Sequence, residues 1–219
     1  MNMRPLVAAV AALTVLAFGP VQAYDETCSA ANGSAATPHL EDGRGDWNGT
    51  ITGNESGTAF GDINNSHNDV LAGWLNRDGN KVTATITLAE LTGNEINEVV
   101  YFFWNHFSAA TPERTRRWVA TTFNGRTVTY NYGHRTVNPT TGQGTIVTEG
   151  TTTGSIVAGS PGSITMNVPM SKMGNPVIGD ELGDPVAESR FYAGVPGVYG
   201  QLYTIDNTRD GDGCTEITY

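Results

Sequence analysis

Residues 69–88 read DVLAGWLNRDGNKVTATITL, and this stretch decides the fold. Its second half, KVTATITL, alternates polar and apolar residues without a break. That places Val82, Ala84, Ile86 and Leu88 on one side of an extended chain. A helix would instead need apolar positions three and four apart. The first half, DVLAGWLN, is rich in apolar residues and reads as a strand. Between the halves, Arg77-Asp78-Gly79-Asn80 is turn chemistry, because Asp78-Gly79 tolerates the positive φ angles of a tight hairpin. The stretch is predicted to be a β-hairpin with one face in a core.

The same grammar extends in both directions. Residues 98–105, EVVYFFWN, form a mostly apolar run, as expected of a central strand buried on both faces. Residues 116–123 (RRWVATTF) and 126–132 (RTVTYNY) flank Asn124-Gly125, the best type I′ turn signal in the chain. Period two puts Val128, Tyr130 and Tyr132 on one face of the returning strand. Residues 144–149 and 151–158 are expected to form a further hairpin. Residues 163–168 (SITMNV) alternate again and stop at Pro169, after which 170–174 suits one helical turn. Residues 188–193 and 202–205 supply the last strands, and 48–52 a short early one. No long amphipathic helix is visible, so βαβ units are excluded. About nine to eleven strands joined by short turns predict an all-β fold, an antiparallel β-sandwich of jelly-roll-like form.

The N-terminus carries a different signal. Arg4 provides a positive start, residues 6–18 are apolar but for Thr14, and Gly19-Pro20 break the run. The run falls short of the roughly 20 residues a membrane span needs. Val21-Gln22-Ala23 offers small residues where a signal peptidase reads them. Residues 1–23 are expected to be a cleaved export signal, and 24–219 a single secreted, extracellular domain with no membrane span. Cleavage removes one basic residue, Arg4, and leaves 11 Lys+Arg against 22 Asp+Glu, a net charge near −11. Such a balance excludes nucleic acid and anionic membrane surfaces as partners, since both require basic patches. The two cysteines, Cys28 and Cys214, are expected to form one disulfide that staples the N-terminal strap, 24–38, to the C-terminal segment. In the chain-entropy model a loop of that size contributes roughly 4–5 kcal/mol.

Two stretches carry a resemblance: DVLAGWLNRDGNKVTATITLAEL at 69–91 and GSITMNVPMSKMGNPVIGDEL at 162–182. Their order resembles the β-sandwich modules of secreted bacterial and archaeal proteins, similar to the DOMON-like and family 9 carbohydrate-binding fold. The likeness spans 61–188. It implies a sandwich with a binding or accessory role, in a group whose members take sugars or haem. No ligand residue can be matched individually, and a fold does not by itself give a function.

Candidate sites follow from residue chemistry. Trp118, Tyr130 and Tyr132 lie on neighbouring predicted strands, where exposed rings would stack on the apolar flats of sugar rings; Tyr132 is expected to be the most exposed. The competing reading is that these rings simply fill the core, Trp104 and Trp118 above all. A glycan or surface polymer is thus the leading partner. Asp206, Asp210 and Asp212 alternate with Gly and Asn, a pattern able to wrap a structural Ca2+ with oxygen ligands. Asp42, Asp46, Asp62 and Asp69 form a second acidic group. The competing and weightier reading of both groups is a set of solvated Asx turns that cap strands. The EF-hand pattern fails, with Thr208 and Ile217 at key positions. His39, His67, His106 and His134 form no close-spaced pair, and His106 and His134 read as two separated loop histidines; no nucleophile elbow, zincin or P-loop motif occurs. No catalytic residue is assigned; Glu90, Glu95, Glu98 and Glu188 have no context that singles one out for glycoside cleavage. Arg114, Arg116 and Arg117 are the one basic cluster, read as a solvated face or a contact for a carboxylate-bearing partner. The alternatives to a binding module are a small glycan-acting hydrolase and a structural protein of the cell envelope.

Overall fold

A computed structural model describes residues 28–31, 33–44, 51–52, 59–60, 66–78, 81–108, 111–138, 140–142, 144–195, 199–208 and 212–219. The expected export signal, Asp46, Trp47, Asp62, Asp210 and, from the expected 77–80 turn, Gly79 and Asn80 lie outside the described residues. In chain order the strands are β1 (Cys28–Ser29), β2 (Leu40–Glu41), β3 (Ile51–Thr52), β4 (Ala59–Phe60), β5 (Val70–Asp78) and β6 (Lys81–Leu88). There follow β7 (Ile96–Ser108), β8 (Thr111–Asn124), β9 (Thr127–Val137), β10 (Gly144–Thr151), β11 (Thr153–Val157) and β12 (Gly162–Pro169). The chain ends with β13 (Glu181–Val195), β14 (Tyr199–Asn207), β15 (Asp212–Gly213) and β16 (Glu216–Thr218). Ten of these strands are five residues or longer, within the range expected from the sequence. Helical turns among the described residues are two single 3-10 turns, Ser66–Asn68 and Met170–Lys172.

Two sheets pack face to face. The larger has the order β1-β16-β13-β7-β8-β9-β10, with β14 on the far half of β13; the smaller has the order β11-β12-β6-β5-β2-β15. A third, two-stranded piece is β3-β4. Pairing is antiparallel except between β1 and β16. The 69–88 stretch forms its hairpin, with Asp78 opposite Lys81 and Val70 opposite Leu88. Val82, Ala84, Ile86 and Leu88 are all buried, as the alternation required. They meet Val100, Phe102, Trp104 and Val119 of the larger sheet and Ile164, Met166 and Val168 of β12. Each Val, Leu, Ile, Phe or Met among them stabilises by about 1.5–3 kcal/mol relative to exposure.

Strand β7 explains why 98–105 is mostly apolar without alternating. Its even positions enter the inter-sheet core. Its odd positions, Tyr101 and Phe103, join Trp118, Ala120 and Val186 in a second cluster on the outer face. Guanidinium groups lie over that face: Arg190 sits 4.8 Å above the Tyr101 ring and Arg116 5.4 Å above Phe103. Arg190 is held by Glu188 and Arg116 by Asp184. Planar cations over ring faces are favourable and leave their edges free for carboxylates. Arg116, one of the basic cluster read from the sequence, therefore binds a carboxylate of its own chain.

Three expectations are corrected. Residues 144–158 are not a hairpin. Strand β10 pairs with β9 in the larger sheet, while β11 pairs with β12 in the smaller. The β8–β9 loop is Gly125-Arg126 rather than Asn124-Gly125, because Asn124 pairs with Thr127. Of these loop residues only Gly125 has positive φ, at 62°, the pattern of a type II′ rather than a type I′ turn. Third, His106 and His134 sit on strands β7 and β9, not in loops.

Cys28 and Cys214 form the expected disulfide, with Cα atoms 6.2 Å apart. Cys28 belongs to β1 of the larger sheet, and Cys214 follows β15 of the smaller, so the bond ties the two layers together. Among the described residues no helix is long and apolar enough to cross a membrane.

Candidate ligand-binding crevice

The site grows from the place where the chain leaves one sheet for the other. Thr152 is that corner. Its backbone N–H donates to the Tyr130 carbonyl on β9 at 2.9 Å, and its hydroxyl donates to the Asn167 carbonyl on β12. One residue thereby bridges both layers. Gly150 and Gly154 flank it because nothing larger fits. A Cβ at Gly150 would stand 2.8 Å from the Tyr132 hydroxyl, and one at Gly154 would enter the Tyr130 ring. The two glycines and two tyrosines are complementary, each ring filling the space a side chain would have taken.

Beside this corner lie two shallow depressions. The first, about 280 Å3, is lined by Lys81, Tyr132, Thr151, Thr152, Thr153, Asn167, Pro169 and Lys172. The second, about 310 Å3, is lined by Arg117, Tyr132, Glu149, Ser171, Lys172 and Gly174. Tyr132 and Lys172 line both. Lys81 opens β6 directly opposite Pro169, the last residue of β12. The single 3-10 turn after Pro169 then sets Lys172 at the crevice, with Met173 anchored in the core behind it. Pro169 ends the strand because it has no N–H to give, and the turn follows at once.

A charged cluster borders the second depression. Arg117 donates from Nη1 to both Glu149 oxygens at 3.2 Å, and His134 donates from Nδ1 to Glu149 Oε1 at 2.7 Å. Behind it, His106 donates from Nε2 to Asp180 at 3.0 Å, and Asp180 also accepts the Val177 N–H at 2.9 Å. The two histidines are thus held by separate carboxylates rather than brought together. Burial raises the Tyr130 phenol above its ordinary value, so it is neutral at physiological pH.

The rings expected to form a sugar-stacking strip do not share a face. Trp118 is 2% exposed and lies in the outer cluster, its indole N–H donating to the His134 carbonyl at 3.1 Å. Tyr130 and Tyr132 point into the sandwich. Tyr132, expected to be the most exposed, is 7% exposed. The cause is the pleat: Trp118 lies in the cluster with Tyr101, Phe103 and Ala120, whereas Tyr130 and Tyr132 lie on the face packed against the smaller sheet. What Tyr132 offers a ligand is the rim of a crevice, not a platform.

Asp206 is likewise employed within the fold. Its Oδ2 accepts the Val70 N–H at 2.6 Å, joining β14 to the start of β5, and its Oδ1 accepts the Asn207 N–H at 2.9 Å. Of Asp212 only the backbone, in β15, is described. Among the described residues no group of three or more His, Cys, Asp or Glu side chains is placed to hold a metal ion.

The lysines are what sequence reasoning missed. The chain has only two, Lys81 and Lys172, and both line the first depression. Their scarcity is visible in the sequence; their meeting depends on the β6–β12 pairing, which is not. No protein-family model, curated protein or solved structure matches this chain.

Proposed function

We propose that residues 24–219 are an exported, non-catalytic β-sandwich that binds a carbohydrate or another surface polymer in the crevice beside Tyr132. The observation that carries this reading is the crevice itself. It is open, fixed at a corner where Thr152 bridges both sheets, and lined by Thr hydroxyls, the Asn167 amide and a tyrosine. Sugars are bound by several such hydroxyl and amide contacts placed on rigid elements. Among the described lining residues Glu149 is the one carboxylate, and it is engaged by Arg117 and His134. Glycoside cleavage calls for two facing carboxyl groups, which favours binding over hydrolysis. The resemblance of 61–188 to carbohydrate-binding sandwiches supports the same reading. The disulfide agrees with an oxidising compartment, and the 1–23 segment supplies the route there.

A glycan array probed with residues 24–219 tests the binding. Retention on at least one glycan class is expected, and a blank array overturns the reading. N-terminal sequencing of protein exported by a bacterial host tests the signal, with Tyr24 the expected first residue.

A further inference from the structure

We infer that the sandwich takes a divalent cation, of the hard, oxygen-ligated class, into a buried chamber between Asn68, Glu95, Glu98 and Thr121. None of these residues lines the crevice, so the inference goes beyond the polymer-binding reading and does not rest on it. All four side chains are buried, Asn68 and Thr121 completely. Yet Asn68 Oδ1 and Nδ2, Glu95 Oε2, Glu98 Oε1 and Thr121 Oγ1 have no hydrogen-bond partner in the structure. A buried polar group without a partner is costly, and protein interiors keep few of them.

Strand register brings these groups together. Thr121 lies between Val119 and Phe123 on β8, both of which enter the inter-sheet core, so by period two it faces inward. Thr121 and Ser189 stand opposite Val100 from either side, on β8 and β13. Glu98 is two residues before Val100 on the same inward face of β7, diagonally beside both. The 3-10 turn Ser66–Asn68 crosses above them. His67 Nδ1 is 3.8 Å from Glu95 Oε1, and the Ser189 hydroxyl donates to the Asn68 carbonyl at 2.5 Å. The turn thus spans from Glu95 to Ser189 with Glu98 between, and the Asn68 amide, shut off from solvent, is directed into the same space.

The donor set is that of a hard cation: two carboxylates, an amide oxygen and a hydroxyl. Calcium takes about six to eight oxygens and accepts amide carbonyls and waters beside carboxylates. Two carboxylates balance one divalent charge, and the cation relieves the repulsion by which Glu95 opposes the ionisation of Glu98. The other Glu95 oxygen, Oε1, accepts the Thr92 and Gly93 N–H groups and the Thr92 hydroxyl. Those bonds fix the carboxylate and leave Oε2 for a ligand, as supporting contacts do around metal sites. No third acidic or histidine ligand is needed, in keeping with the absence of any such group of three among the described residues.

Thermal unfolding of residues 24–219 at pH 8, first in EDTA and then titrated with CaCl2, MgCl2 or NaCl, tests this. Calcium at a hundredfold excess over its Kd should raise the midpoint by about 5 °C or more. Magnesium should do less, because it gives up its waters reluctantly, and sodium at matched ionic strength should do nothing. Glu98→Gln should be at least as stable as the parent in EDTA, where the buried carboxyl has no counter-charge, and should lose the calcium-dependent rise. With calcium the order of the two proteins reverses. Thr121→Val removes an unpartnered hydroxyl at little cost to the fold and should keep about half of the rise, as for a tenfold weaker site. Asp212→Asn should keep all of it, which separates the chamber from the acidic C-terminal group. No rise with either divalent cation, a rise that Glu98→Gln retains, or equal losses in Glu98→Gln and Asp212→Asn overturns the site.

Discussion

Trp118 and Gly133 stand opposite one another in the β8–β9 register, and the indole lies where a side chain at 133 would be. A Cβ on Gly133 would meet Trp118 Cζ2 at 2.8 Å and crowd the Val147 carbonyl oxygen more closely still. The aromatic ring covers the bare glycine backbone, a pairing that pins register in sheets. Gly133→Ala should destabilise the protein by about 2–4 kcal/mol, because a backbone oxygen cannot step aside as a flexible side chain can. Gly142→Ala makes the comparison: its φ is 70° but nothing lies within 4 Å of the new methyl. Only the backbone cost of about 1 kcal/mol applies there. Denaturant unfolding of both variants measures the difference, and equal losses would show that the space at Gly133 is not limiting.

The disulfide joins the two layers across a sequence separation of 186 residues. Closing so long a loop in the unfolded chain contributes roughly 5 kcal/mol in the entropy model. The Cys28→Ser, Cys214→Ser variant should therefore unfold at markedly lower denaturant than the parent. Reducing agent should shift the parent toward the variant and leave the variant unchanged. A parent indifferent to reductant, with two alkylatable thiols by mass spectrometry, would show that the bond does not form.

Glu98 gives stability an unusual dependence on pH. It is 2% exposed, and its Oε1 has no hydrogen-bond partner in the structure. Burial, reinforced by the nearby Glu95 charge, holds its carboxyl well above the ordinary range. Above the ordinary carboxylate value of about 4.3 the unfolded chain has released this proton while the folded chain retains it. The folded state then binds more protons, so stability falls as pH rises through that window. Glu98→Gln keeps the neutral form permanently. The variant should be more stable than the parent at pH 8, and the gap should shrink toward pH 4. Parallel midpoint curves for the two proteins would refute it.

How far the sequence reached is best seen at particular residues. The alternation of 81–88 was legible because one face of β6 is buried and the other only half so, which is the condition for a clean period of two. The two-sided burial of β7 was legible for the opposite reason. The 144–158 segment misled because β10 and β11 are each good strands with a turn-like Gly-Thr-Thr-Thr-Gly between them. Whether such a corner folds back or crosses to the other sheet depends on what it meets. Here it meets Tyr130, Tyr132 and Asn167 from strands remote in sequence. The crevice was illegible for the same reason: periodicity assigned Tyr130 and Tyr132 a common face correctly but could not say that the face turns inward.

His39 opposes Glu98 on the acid side. Its Nδ1 accepts the Leu75 N–H at 3.1 Å and its Nε2 donates to the Ser29 carbonyl at 3.2 Å. That arrangement needs the neutral ring, since a protonated one has no acceptor. Burial lowers its pKa below the ordinary value near 6.5, outweighing the Ser29 bond, which raises it. Between the lowered value and about 6.5 the unfolded chain takes up a proton that the folded chain refuses. The stabilisation is complete above that window and is lost as pH falls through it. His39→Gln retains a donor and an acceptor but cannot titrate. It should cost about 1 kcal/mol at pH 8 through poorer geometry, and that deficit should narrow between pH 7 and pH 5 as the parent loses stability. Because Glu98 pulls in the other direction, the comparison is made in the Glu98→Gln background, where the acid-side slope of the parent ring stands alone. A deficit that stays constant across the window would mean that the ring is not held neutral by the fold.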